Sequence, residues 1–158
     1  MRTRLSGLTR REFTSMLAAL GLAWTLPVKA TGNDLCEETL AHFVDVLIPE
    51  DTHAPAASAL GVHRQIWQLT RNDPLMERFI RQGCFWLDRQ SRGSYAALPP
   101  LTQQKLVNWM ANQPDSSYPF QLFNRLRHES MGFYYSHPES WNGLPINQPP
   151  QPLGYSTF

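Results

Sequence analysis

Five histidines, two cysteines and one short acidic loop are the groups in this 158-residue sequence that could do chemistry. Glu50, Asp51 and His53 place two carboxylates and an imidazole within four positions, a set suited to a hard or borderline metal ion. A solvated turn accounts for the same three residues more simply. His42, His53, His63, His128 and His137 include no pair four apart, and none sits in an HExxH motif or a Cys/His cluster. Ser130 lies near His128, but no acid or base is placed to activate it. Cys36 and Cys84 are too far apart for CxxC redox chemistry or CxxCH haem attachment. No GxGxxG, P-loop or GxSxG motif is present. The sequence therefore assigns no catalytic, cofactor-binding or metal-binding residue to this chain.

The elements that would position these groups read as helices. Leu40, Phe43, Val44, Leu47 and Ile48 recur at helical spacing over 34–48, with Asp34 ahead of Glu37 as an approximate capping box and Pro49 as the stop. A second helix is expected over 58–70, with Leu60, His63, Ile66 and Trp67 near one face. Asp73 and Pro74 cap and open a third, running to about Gln90, with Leu75, Met76, Phe79, Ile80, Cys84 and Leu87 inward and Gly93 as the left-handed cap. Thr102 caps a fourth, to about Ala111. Pro119 opens a fifth, which Gly132 ends near Met131. Trp67, Phe79, Phe85, Trp86 and Trp109 read as core aromatics rather than the lining of a quinone or haem pocket. No segment alternates with period two. The expected fold is all-α, an irregular bundle of about five helices over 31–131.

Residues 132–158 differ in kind. The last 26 residues hold five of the thirteen prolines together with Phe133, Tyr134, Tyr135, Trp141, Tyr155 and Phe158. Prolines lower the entropy lost on docking and aromatics supply buried area, so an extended tail lying across a surface is expected. That surface could belong to this domain or to a partner, and disorder is the third reading.

The first 30 residues form a unit of their own. Arg2, Arg4, Arg10, Arg11 and Lys29 face a single acid, Glu12. The apolar run from Met16 to Leu26 is too short to span a bilayer, which needs about 20 residues. Arg10, Arg11 and Phe13 match a twin-arginine export signal, and the small residue Ala30 closes a cleavage site after Val28 and Lys29. An uncleaved anchor or an N-terminal helix of the domain are the competing readings. Without this segment the chain holds nine Lys/Arg against twelve Asp/Glu, a mildly acidic domain with no electrostatic footprint for nucleic acid. In an oxidising periplasm Cys36 and Cys84 could pair with each other or with a partner chain, or stay free.

Several segments, taken in order, resemble the gluconate 2-dehydrogenase subunit 3 family. They are Leu40-x-x-Phe43-Val44-Asp45-Val46-Leu47-Ile48-Pro49, then Ala59-Leu60-Gly61-Val62, LPPLTQQ over 98–104, and Phe120-x-x-Phe123 leading to Leu126-Arg127. Gly132 to Pro138 (GFYYSHP) and Leu153-Gly154-Tyr155 complete the set. The chain departs from the pattern between Trp141 and Tyr155, where NGLPINQPPQPLG replaces a stretch richer in glycine and tyrosine.

The resemblance implies a non-catalytic small subunit of a membrane-associated, flavin-dependent sugar or polyol dehydrogenase. Its expected partners are a large FAD-containing subunit, a multi-haem cytochrome c subunit and the twin-arginine translocase. FAD and haem c would belong to those partners, and the complex would sit in the periplasm at the inner membrane. The small subunit would carry the export signal for the flavin subunit and stabilise it. From the tail's own composition, Phe133, Tyr134, Tyr135, Trp141 and Tyr155 are the candidate partner contacts. A free-standing exported helical binding module, or a redox protein with an unadvertised cofactor, are the alternatives.

Overall fold

A computed structural model describes residues 32–143, with side chains from Cys36 onward. Five α-helices occupy this span: α1 Gly32–Leu47, α2 Val62–Leu69, α3 Pro74–Gln90, α4 Pro100–Ala111 and α5 Tyr118–Tyr134. Short 3-10 turns follow α2 (Thr70–Asn72) and α5 (Pro138–Trp141). The described residues contain no strand.

Helix α1 is the centre of the bundle and packs against each of the other four. Its Leu40, Phe43 and Val44 are buried together with Ile66 of α2, Ile80 and Leu87 of α3, Leu106 and Met110 of α4, and Leu122 and Leu126 of α5. Spacings of three and four put these residues on one stripe of each helix, and burying that stripe drives association. Gly83 lets α3 and α5 close, because a Cβ there would lie 2.5 Å from Leu122 Cδ1. Trp86 stacks on Trp109 at 6.2 Å, and Tyr118 meets both Phe79 and Trp86 edge-on. The Tyr118 hydroxyl donates to the Phe79 carbonyl at 3.3 Å, and burial pushes its pKa up to about 12.

Several boundaries differ from the sequence reading, each for a local reason. Helix α1 begins at Gly32, so Asp34 lies within it rather than capping it. Residues 58–61 form a turn, not the start of α2. Gly61 adopts the left-handed conformation (φ 73, ψ 16) directly ahead of Val62 and ends any helix begun at Ser58. Asp73 and Pro74 open α3 as expected, the Asp73 carboxylate accepting from the Leu75 and Met76 amides at 3.0 Å each. At the other end the left-handed residue is Arg92 (φ 57), not Gly93. The Gly93 amide donates to the Asp88 carbonyl and the Arg92 amide to the Arg89 carbonyl, a Schellman closure. Helix α4 starts at Pro100, which places Thr102 inside its first turn. Helix α5 starts one residue before Pro119, with Ser117 as cap, and runs through Gly132 to Tyr134.

Candidate functional site

The polar groups singled out by type are mostly occupied in holding the chain together. Asp51 Oδ1 accepts the His53 and Ala54 amides at 2.7 and 2.8 Å, and these two bonds lower its pKa. Its carboxylate therefore shapes the exposed loop it belongs to. Six residues earlier, on α1, Asp45 accepts from the Ser58 amide (2.7 Å) and hydroxyl (2.6 Å), tying the end of the loop back to that helix. Ser130 is buried and donates to the Leu126 carbonyl at 2.6 Å, so its hydroxyl is a back-bond within α5 rather than a nucleophile beside His128. Among the described residues no group of three His, Cys, Asp or Glu side chains could hold a metal ion.

His63 is buried against α1, its Nε2 3.7 Å from Glu37, which also takes Arg64 Nε at 3.0 Å. Its Nδ1 has no partner among the described residues. Burial, then the charge of Arg64, lowers its pKa, while Glu37 and Asp45 oppose the shift.

A seam joins α1 to α3 and to the connection that follows α3. Cys36 and Cys84 form a disulfide with Cα atoms 5.4 Å apart. Thr39 donates to Asp88 at 2.9 Å, and the same carboxylate oxygen accepts the Tyr95 amide at 2.9 Å. Gln103, in the LPPLTQQ segment, donates Nε2 to the Tyr95 and Ala96 carbonyls at 3.0 and 3.3 Å. Tyr95 is fully buried, with no partner for its hydroxyl among the described residues, and burial raises its pKa.

The aromatics after α5 divide. Tyr134 is 3% exposed and its hydroxyl donates to the Pro55 carbonyl at 2.9 Å. Trp141 is 7% exposed, with Nε1 donating to the Tyr135 carbonyl at 3.0 Å. Phe133 packs partly buried against the core. His137 Nε2 meets Gln65 Oε1 at 3.1 Å, and Gly143 lies so close to His53 that a Cβ would sit 2.8 Å from Cγ. This part of the tail thus packs on the domain, and Tyr135 alone of these four aromatics is exposed. Tyr155, the export residues Arg10, Arg11 and Phe13, and the cleavage residue Ala30 lie outside the described residues.

Among the described residues, the outward face of α3 leaves two large apolar side chains exposed, and Leu101 of α4 is a third at 71%. Leu75 is 79% exposed and Phe85 is 68% exposed, against the expectation that Leu75 lines the core and Phe85 belongs to the core aromatics. With Arg78, Gln82 and Arg89, all exposed, they fall at i, i+3, i+7, i+10 and i+14. That spacing makes one straight stripe, with the two apolar residues about 15 Å apart along the helix. Leu75 and Phe85, with Arg78 and Gln82 between them and Arg89 beyond, mix large apolar and arginine side chains on one exposed stripe, residue types that are enriched at interfaces.

The family model for gluconate 2-dehydrogenase subunit 3 matches residues 36–149. The chain belongs to that family. No curated protein and no solved structure matches it. The gluconate 2-dehydrogenase subunit 3 match takes in every side chain of the five-helix core and the α3 stripe. It also gives the resembling segments physical roles. Asp45 in the first anchors the loop, Gln103 in LPPLTQQ holds the connection after α3, and Tyr134 and His137 in GFYYSHP pin the chain after α5. The family name implies partner subunits in a gluconate dehydrogenase complex. Among the described residues no helix is long and apolar enough to cross a membrane.

Proposed function

We propose that this chain is the non-catalytic small subunit of a periplasmic, flavin-dependent sugar or polyol dehydrogenase of the gluconate 2-dehydrogenase type. The flavin subunit oxidises the substrate with FAD, and a multi-haem cytochrome c subunit takes the electrons onward at the inner membrane. The present chain binds the folded flavin subunit and lends it the twin-arginine signal around Arg10 and Arg11. It then remains bound as a stabilising cap.

The observation that carries this reading is the Leu75–Phe85 stripe on α3 of a chain whose family name implies partner subunits. Docking there would bury two large apolar side chains, about 3–5 kcal/mol of favourable transfer before the costs of association. Arg78 and Arg89 would face acidic or carbonyl groups of the flavin subunit. Replacing Leu75→Glu and Phe85→Glu together leaves the core untouched, so the variant folds with an unchanged circular dichroism spectrum. It is expected to lose co-purification of the flavin subunit. Undiminished co-purification would remove α3 as the docking face.

A further inference from the structure

Cys36 and Cys84 are the two cysteines of the chain, and the docking role makes no use of them. Each is 4% exposed. Their helices are joined by more than the bond. Leu40, Phe43 and Val44 of α1 and Ile80, Gly83 and Leu87 of α3 are buried in the same core. Thr39 meets Asp88 one turn further along. Cys84 Sγ also lies 3.5 Å from the Cys36 carbonyl, so a thiol at position 84 has an acceptor in place. Reduced, the two thiols behave as small apolar side chains, and a side-chain rotation that separates their sulfurs is all the packing must admit.

We propose that the pair is a redox latch that closes on an already folded domain, with Cys36 as the entry thiol. Cys36 is the fifth residue of α1, close to a helix end, where local opening costs least, whereas Cys84 is the eleventh residue of α3, mid-helix, with Ile80 and Leu87 buried a turn to either side. A disulfide-bearing oxidant therefore meets Cys36 first. The Cys36 thiolate attacks one sulfur of the oxidant and displaces the other as a thiolate, leaving a mixed disulfide. When α1 re-seats, the Cys84 thiolate attacks the Cys36 sulfur, forms the intrachain bond and expels the second thiolate. Two cysteine thiols lose two electrons and two protons, and the oxidant's disulfide takes them up as a dithiol. The closed latch fixes the start of α1 to α3, the helix whose outer face carries Leu75 and Phe85. That closure follows delivery to an oxidising compartment rests on the export reading above.

The test uses the full chain, reduced with dithiothreitol and then exposed to oxidised glutathione, followed by intact mass and near-ultraviolet circular dichroism. Reduced wild type is expected to keep the tryptophan and tyrosine bands of the bridged form. It should then lose about two mass units without accumulating an adduct. Cys84→Ser should accumulate one glutathione on Cys36, and Cys36→Ser should react at least about tenfold more slowly. Equal rates in the two single variants, a faster Cys36→Ser, or loss of the near-ultraviolet tryptophan and tyrosine bands on reduction would overturn the latch. These measurements need no export, so their failure is distinct from a failure of the export reading.

Discussion

Thr39 on α1 donates its hydroxyl to Asp88 on α3 across 2.9 Å, one helical turn beyond the Cys36–Cys84 bridge. Asp88 also holds the Tyr95 amide, so one partly buried carboxylate fixes both the α1–α3 seam and the connection that follows α3. Thr39→Val keeps the shape and removes the donor. A loss of about 1–2 kcal/mol in urea unfolding is expected. No loss would mean that solvent replaces the bond.

Asp88 also makes a pH prediction. Burial raises its pKa, against the lowering effect of the Tyr95 and Thr39 hydrogen bonds. The folded state then holds the proton more tightly than the unfolded state. The stabilising contribution is complete below the ordinary carboxylate value of 3.8 and is lost as pH rises through the raised folded value. Asp88→Asn keeps an acceptor oxygen and should abolish this fall, as followed by melting temperature across the acidic range.

His63 gives the opposite slope. Its pKa is lowered from 6.5, chiefly by burial, so the unfolded chain binds the proton more readily. Its contribution is complete above 6.5 and is lost as pH falls toward the lowered folded value. Nuclear magnetic resonance titration should place its midpoint below 6.5. Glu37→Gln should move it lower still, because Glu37 opposes the shift. An upward move in that variant would contradict the assignment.

The bridge closes a long loop, since Cys36 and Cys84 are 48 positions apart. Reduction is expected to lower stability by about 4 kcal/mol and the melting temperature by roughly 15 °C, while the protein stays folded at 25 °C. A melting temperature unmoved by dithiothreitol would show that the bridge does not constrain the unfolded chain.

The glycines and the α3 stripe show where residue type alone misleads. Helical periodicity locates the five helices of the described residues, and Asp73-Pro74 marks the start of α3 because its cap is a local interaction. Gly93 looks like a left-handed cap, yet Arg92 takes that conformation. The deciding bonds run to Asp88 and Arg89 and depend on where the last turn stops. Gly61, inside an apparently helical run, is the residue that does need it. Gly61→Ala should cost about 1 kcal/mol although no atom opposes the new Cβ. Leu75 and Phe85 read as core because apolar residues occupy more of the α3 circumference than the bundle can cover. Only the packing reveals which side is left over. Tyr134 and Trp141 could not be told from Tyr135 by type, since the carbonyls they bond, on Pro55 and Tyr135, are found by the folded chain.

The export role stands or falls on where the flavin subunit goes. Arg10→Lys and Arg11→Lys together, in cells making the whole complex, followed by fractionation and quantification of the flavin subunit, give the answer. That subunit should stay in the cytoplasm, bound to the unexported small subunit, and fall to background in the periplasm. Normal periplasmic levels of the flavin subunit would contradict the reading of this chain as its escort.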